Sequence, residues 1–330
     1  MAKEKNKLKF AFYWAASCGG CEMAVLDINE KILDLVQIAD IVFWPAVMDI
    51  KYRDIENMPD GYIDVCFFSG AIRTEEQEYM AKLLRQKSKT LVAYGTCSYL
   101  GGVPGLANLA DKQEVFEKVY IQTLSTENPN KVLPRTRTRV PEGELELPDF
   151  YDTVKTLDQT VEVDYYVPGC PPATERTLYA LEAIVKGELP PKGSVLAPLK
   201  SVCDECPRKK GEKKISRIYR LYEGVPDPER CFLEQGIICM GPATRGGCGA
   251  KCIKANMPCT GCGGPCPGSL EQGAAMISAL ASILGVETEK EKYAEAEKLI
   301  DQIRDPIGTF YMYSLPSSII NRRVTKNVRK

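Results

Sequence analysis

Three widely separated cysteines each follow a short apolar run. Cys18 ends KFAFYWAASC, Cys97 ends KTLVAYGTC and Cys170 ends VDYYVPGC. If these runs are parallel β-strands, their carboxyl ends lie at one edge of a sheet, where open α/β sheets build their sites. Cys21 joins this group through the spacing C-x-x-C. We therefore expect four thiols to converge at a single sheet edge.

Strand-like and helical stretches alternate between residues 8 and 195. The predicted strands are 8–14, 40–47, 64–69, 90–94 and 163–167, and the predicted helices are 21–36, 74–86 and 173–186. Short strands separated by helices predict βαβ units and a parallel, flavodoxin-like sheet of the α/β class. A proline-rich insertion at 101–160 interrupts the alternation, and its segment RTRTRV predicts an edge hairpin.

The composition changes near residue 198, where cysteine, glycine and proline become dense. We predict a flavodoxin-like domain at 1–197 and an irregular, cysteine-rich domain at 198–330 that contains helices at 269–284 and 289–304. The middle of the second domain shows little periodicity, and such a region buries too little apolar surface to fold alone. We therefore expect bound metal to stabilise it.

The chain has 330 residues, of which 14 are cysteine and none is histidine. The lack of histidine excludes Ser-His-Asp catalysis and histidine zinc sites. Disulfide frameworks are typical of small secreted domains, and the first residues favour a strand over an export signal. With 43 basic and 44 acidic residues and no apolar segment of membrane-spanning length, we expect a cytoplasmic protein that binds neither nucleic acid nor membrane.

The cysteines of the second half fall into closely spaced sets. They are Cys203, Cys206, Cys231, Cys239, Cys248, Cys252, Cys259, Cys262 and Cys266. With the four of the sheet edge they make thirteen, and twelve of these can be divided into three groups of four, the number that one 4Fe-4S cluster requires. Cys66 lies inside an apolar strand and is expected to be an ordinary buried thiol.

Two other kinds of site use C-x-x-C pairs. A zinc ribbon needs two pairs about 15–20 residues apart, whereas Cys206 and Cys259 are more than fifty residues apart. A thiol–disulfide oxidoreductase places C-x-x-C between a strand and a helix, as found at Cys18 and Cys21. Two glycines between those cysteines favour a bulky cluster, because they let the backbone approach it closely. Iron–sulfur is the favoured interpretation, with structural zinc and thiol exchange as alternatives.

The motifs SCGGCE, YGTCSYLGG, VPGCPP, CDEC, CFLEQGIICMGPATRGGC and PCTGCGGPC resemble, in this order, the small electron-transferring subunit of nickel–iron hydrogenases. The resemblance extends from about Lys7 to Leu284. It implies an oxidoreductase subunit with no catalytic residue of its own, since the H2-activating nickel–iron site belongs to a large subunit. It also implies that the second domain is an iron–sulfur domain.

The resemblance implies a ligand set for each of three clusters. The proximal set is Cys18, Cys21, Cys97 and Cys170; the distal set is Cys203, Cys206, Cys231 and Cys239; and the medial set is Cys248, Cys252, Cys259 and Cys262. Cys266 is left over and is an alternative to Cys252. Many family members have histidine at the position of Cys203 and proline at that of Cys252, so cysteine at both positions implies that all three clusters are 4Fe-4S.

The chain resembles most closely the methyl-viologen-reducing (non-deazaflavin-reducing) small subunits of methanogenic archaea. That resemblance implies electron delivery through a small 2Fe-2S subunit to a heterodisulfide reductase. A deazaflavin-reducing hydrogenase or a sulfhydrogenase subunit is the alternative. Glu22, next to Cys21, is either a helix glutamate favoured by the dipole or a group that assists proton transfer.

Overall fold

The computed structural model describes residues 7–211, 215–284 and 297–323. Its strands are β1 Leu8–Trp14, β2 Ala39–Phe43, β3 Ile63–Ser69, β4 Ile72–Thr74, β5 Ser88–Tyr94, β6 Arg137–Val140, β7 Gly143–Glu146, β8 Phe150–Lys155, β9 Tyr165–Val167 and β10 Ser194–Val195. Its α-helices are α1 Gly20–Leu26, α2 Lys31–Ile38, α3 Tyr52–Glu56, α4 Glu75–Lys87, α5 Thr96–Leu100, α6 Lys112–Glu117, α7 Thr174–Lys186, α8 Lys251–Lys254, α9 Gln272–Ala281 and α10 Pro306–Phe310.

Six strands form one parallel sheet in the order β10-β9-β5-β3-β1-β2. Counting only these strands along the chain, the order is 2-1-3-4-5-6, which is the flavodoxin-like arrangement. The strand order reverses between β1 and β3, and sheets of this kind build their sites at the carboxyl ends of the strands beside such a reversal. The predicted α/β class with a flavodoxin-like parallel sheet is confirmed.

Both faces of the sheet are buried, which explains the nearly continuous apolar runs of its strands. Phe10 and Phe12 of β1 point to one core with α1 and α7, whereas Ala11 and Tyr13 point to the opposite core with α4. Phe12 stacks on Phe67 of β3 with ring centroids 5.2 Å apart. These apolar layers fix the register of β1 and therefore the place where its chain leaves the sheet.

The single helix predicted at 21–36 is wrong in one respect, because the structure has two helices there. α1 ends at Leu26 and α2 begins at Lys31. Between them Asn29 has a φ of 54°, a left-handed conformation that asparagine tolerates better than most residues. The apolar pattern of the sequence continues across this break, so the pattern predicted one helix where there are two.

The second half has a hydrophobic core of its own, which the sequence did not predict. Phe232 and Leu233 are buried there against Met276 of α9 and Phe310 of α10. Short 3-10 helices at Val202–Asp204, Leu221–Glu223, Leu233–Gln235 and Gly241–Ala243 account for much of its regular structure. An irregular, helix-containing second half is confirmed, and the boundary at residue 197 stays a prediction.

Two further predicted elements differ from the structure. RTRTRV does form a hairpin, but β6 and β7 make an exposed two-stranded sheet of their own and do not extend the main sheet. The helix predicted at 289–304 lies partly outside the described residues, and 297–300 are helical. None of the helices in the described ranges is long and apolar enough to cross a membrane.

Asp164 fastens the start of β9 to its neighbours. Its carboxylate is buried, and one oxygen accepts hydrogen bonds from Arg85 Nη1 at 2.6 Å and from the Leu91 amide at 2.8 Å. Lys192 Nζ lies 2.5 Å from the other oxygen. Burial raises the pKa of this carboxyl, but the bonds from Arg85, Lys192 and Leu91 outweigh it, so the net pKa lies below the ordinary value.

We predict that Asp164→Asn lowers the free energy of unfolding by about 3 kcal/mol at pH 7, because a buried pair loses its negative partner. Asp34→Asn is the control, since Asp34 forms an exposed pair with Lys31 and its loss costs under about 0.5 kcal/mol. The folded pKa of Asp164 is depressed, so its contribution is present above about pH 4 and disappears as the pH falls through the folded value. Urea unfolding measures both variants, and equal effects would contradict the assignment.

Candidate metal centres

The four cysteines expected at the sheet edge do converge. Cys18 lies in the loop after β1, Cys21 is the second residue of α1, Cys97 lies in α5 directly after β5, and Cys170 follows β9. The amides of Gly95 and Thr96 donate to the carbonyls of Val167 and Gly169, each at 2.8 Å. These two bonds hold the ends of β5 and β9 together and so bring Cys97 beside Cys170.

Burial and mutual repulsion make these thiols poor acids without a bound cation. Burial, with a smaller contribution from the charges of neighbouring cysteines, raises the pKa of Cys97 to about 12 and that of Cys170 to about 11. The pKa of Cys21 is raised by burial and then by Cys97 and Cys170. A metal cluster would reverse this balance, because it deprotonates the thiols that bind it.

Two glycines leave room around this group. Gly95 and Gly102 have φ values of 90° and 59°, in the left-handed region that favours glycine. A Cβ atom at Gly95 would collide with Cys21 Sγ, and one at Gly102 would collide with Cys97 Sγ. The chain therefore keeps two positions beside the thiols free of side chains, as close packing around an inorganic cluster requires.

The cysteines predicted as the distal set also lie together. Cys203 belongs to the 3-10 helix Val202–Asp204, and a Cβ at Gly241 would lie 3.2 Å from its Sγ and 3.5 Å from Cys239 Sγ. The pKa of Cys203 is raised to about 12, chiefly by burial and also by repulsion from Cys239, Cys206 and Cys231. The positive charge of Lys210 offsets part of this increase. Cys206 and Cys231 pack against the same apolar core as Cys239.

The cysteines predicted as the medial set line one small cavity. They are Cys248, Cys252, Cys259 and Cys262. Cys266 is not among the lining residues, and its Sγ instead donates to the carbonyl of Pro242 at 3.1 Å. This geometry favours Cys252 over Cys266 as a ligand. Burial raises the pKa of Cys259 well above its ordinary value and also raises that of Cys262.

The three groups are connected by two close junctions. At the first, Thr96 Oγ1 donates to the carbonyl of Cys262 at 2.6 Å and accepts from the amide of Gly169 at 2.9 Å. Cys170 and Cys262 are near enough to repel each other electrostatically. At the second, the amide of Cys259 donates to Cys239 Sγ at 3.3 Å. The groups therefore form a chain, with the medial group in the middle.

Glu22 lies next to the first group, whereas Cys66 lies in the core on the opposite face of the sheet. Glu22 is buried, and its carboxylate accepts hydrogen bonds from Ser69 Oγ at 2.9 Å and from Trp44 Nε1. Burial raises its pKa, and these two bonds partly offset that effect. Cys66 is fully buried in the core beside α4, as expected for an ordinary thiol.

Several residues around the sites were not predicted from the sequence. Thr96, Arg176 and Arg245 contact or line the medial group. Threonine at a helix start and arginines in polar segments are common surface residues, so no strong sequence signal marked them. A nearly apolar helix face around Arg176 was the one available hint, because Thr177, Ala180 and Leu181 are buried beside it.

The residues present fit iron–sulfur clusters better than single metal ions. In the part of the chain that the structure describes, no three cysteine or acidic side chains lie close enough together to hold one ion. A tetrahedral zinc needs four sulfurs at about 2.3 Å from the metal. Groups of four thiols with glycines packed beside them suit a larger cluster.

Comparison with known proteins supports this chemistry. The family described as "NADH ubiquinone oxidoreductase, 20 Kd subunit" matches residues 18–184. The iron–sulfur subunit of the F420-non-reducing hydrogenase of Archaeoglobus profundus is 45% identical, over 97% of this chain and 99% of that protein. The corresponding F420-non-reducing hydrogenase subunit of Methanothermobacter marburgensis is 38% identical, over 97% of this chain and 98% of that protein.

A solved structure of an NAD+-reducing [NiFe]-hydrogenase in the H2-reduced state is also similar, with 27% identity, a TM-score of 0.47, and coverage of 55% of this chain and 93% of that chain. The matches to the two F420-non-reducing hydrogenase subunits extend over nearly the whole chain. The chain therefore belongs to the family of nickel–iron hydrogenase small subunits, which carry iron–sulfur clusters and pair with a nickel–iron large subunit.

Proposed function

We propose that this subunit carries three 4Fe-4S clusters and passes electrons from H2 oxidation through them in a fixed order. The observation that supports this most directly is the chain of three four-thiol groups joined at two junctions. Cysteine thiolates would hold each cluster, and the cluster would supply one-electron chemistry. The protein itself spaces the groups, excludes water from them and keeps their sulfurs in place.

The order follows from position in the fold. The sheet-edge group lies at the carboxyl ends of β1, β5 and β9, and exposed Trp14 and Met23, near Cys18 and Cys21 in sequence, offer apolar surface for the large subunit. We assign this group to the proximal cluster, which receives electrons from the nickel–iron site. Cys262 then leads to the medial cluster, and Cys239 leads to the distal one.

The distal group is the exit to the next carrier. Lys209 and Lys210 are exposed beside it, and Lys210 Nζ donates to the carbonyl of Cys203 at 2.7 Å. A basic surface next to an exit favours encounter with an acidic electron acceptor. We propose a small 2Fe-2S subunit in this place, with a heterodisulfide reductase beyond it, in a cytoplasmic complex. The likeness to F420-non-reducing subunits supports this choice over a deazaflavin-reducing hydrogenase or a sulfhydrogenase.

The metal content of the subunit tests the cluster number. We predict about twelve iron and about twelve acid-labile sulfide per chain, because each four-cysteine group holds one four-iron cluster. Cys252→Ser lowers the iron content, by about one to about four per chain, whereas Cys266→Ser leaves it unchanged. Iron and sulfide analysis of the purified complex measures this. Stoichiometric zinc without sulfide, or equal iron loss in the two variants, would show the ligand sets to be wrong.

The order of the relay is tested by comparing its two ends. We predict that Cys97→Ser abolishes electron flow from the large subunit to every acceptor, because the proximal cluster receives all electrons first. Cys206→Ser chiefly impairs reduction of the natural partner, since a small viologen dye can still collect electrons from the medial cluster. Cys66→Ala serves as the control, because Cys66 lies in the sheet core away from the three groups.

Viologen reduction, partner reduction and H2–deuterium exchange are measured on preparations with matched nickel content. Exchange occurs at the large subunit, so we expect Cys206→Ser to retain it. If Cys206→Ser lost viologen reduction as completely as Cys97→Ser, Cys206 would not belong to the far end of the relay.

A further inference from the structure

Arg176 is a buried cation that forms no ion pair with any of the described residues. It lies in the first turn of α7 and has the largest of the fully buried side chains in the described part of the molecule. Nη1 donates to the carbonyl of Pro168 at 3.1 Å, and Nη2 donates to the carbonyls of Arg245 and Gly246 at 2.8 and 2.6 Å. All three acceptors are neutral, so they satisfy hydrogen bonds without balancing the charge. Glu175 is close enough for Arg176 to help lower its pKa, but this carboxylate is exposed and forms its ion pair with Lys251.

A second buried guanidinium lies beside it. Arg245 is 9% exposed, its Nε and that of Arg176 have no hydrogen-bond partner, and the two side chains repel each other. Among the described residues neither forms an ion pair with a carboxylate. Glu205, on a neighbouring segment, accepts from the amides of Gly247 and Gly249 and pairs instead with Lys200.

Two adjacent buried cations are costly unless an anion lies close to them. Both arginines line the cavity that also contains the four medial cysteines. The sheet-edge group differs, because Cys21 has the acidic Glu22 next to it. Near the distal group one guanidinium, that of Arg208, is also buried, but it stacks on Phe232 and donates to Asp227, Arg230 and Asn256, and among the described residues no second buried arginine accompanies it. The arrangement therefore marks the medial cavity as the place for a negatively charged group.

We propose that Arg176 and Arg245 are the built-in counter-charge of the medial cluster and give it the highest reduction potential of the three clusters. This inference rests on the proposed function, because it requires a cluster in each group. Reduction transfers one electron from the proximal to the medial cluster and moves no atoms. The added negative charge is stabilised by fixed positive charges in a medium of low dielectric constant. The electron would then remain on the medial cluster until the acceptor oxidises the distal cluster.

Redox titration of the intact hydrogenase complex, followed by electron paramagnetic resonance, tests the proposal. The signal that changes in Cys252→Ser is assigned to the medial cluster. We expect Arg176→Gln to lower the equilibrium constant for reduction of the medial cluster at least about tenfold. For one electron this equals a fall of about 59 mV in midpoint potential. The other two potentials stay unchanged, and Arg176→Lys, which keeps the charge, recovers most of the shift.

Arg73→Gln is the matched control, since Arg73 is also buried without a hydrogen-bond partner but stacks on Phe150, outside the cavity. It should leave all three potentials unchanged. If the complex with Arg176→Gln does not assemble, the titration is made with Arg245→Gln, for which we expect the same fall in the medial midpoint potential. An unchanged medial potential in a variant with full iron content, or an equal shift of all three clusters, overturns the proposal. A wild-type complex with fewer than three clusters instead refutes the proposed function.

Discussion

Buried thiolates repel one another and lose their hydration, so groups of four persist only if something positive binds them. This constraint governs both halves of the molecule. At the sheet edge, the apolar layers of β1, β5 and β9 fix where each strand ends, and the cysteines follow within a few residues. The raised pKa values of Cys97 and Cys170 show how unfavourable free thiolates would be there. Metal binding and the final packing of these loops are therefore linked.

The second half meets the same constraint with less regular structure. Short 3-10 turns and an apolar core around Phe232 and Met276 position the cysteines of the other two groups. Thr96 and Arg176 extend from the sheet half and bond to carbonyls of Cys262, Arg245 and Gly246. The same contacts that join the two halves thus also fix the spacing between the first two groups. Structure and electron transfer depend on one set of bonds.

The strand positions and the meeting of the strand-end cysteines could be predicted from the sequence, because strong periodic patterns determine them. β1 occupies residues 8–14 as predicted, and the three strand-end cysteines lie together as expected. The break at Asn29 and the two-residue strand β10 were missed, because one left-handed residue or two strand residues leave no periodic signal. The roles of Arg176 and Arg245 depend on distant parts of the chain meeting, which local patterns do not encode.

The most direct test of the account is an experimental map of the intact complex with anomalous scattering recorded at the iron edge. The account predicts three four-iron densities, each in contact with four cysteine sulfurs, in the order sheet edge, medial cavity and distal group. Cys66 and Cys266 should have no metal density beside them. A single-ion density at any of the three groups, or a cluster bound by Cys266 in place of Cys252, would contradict it.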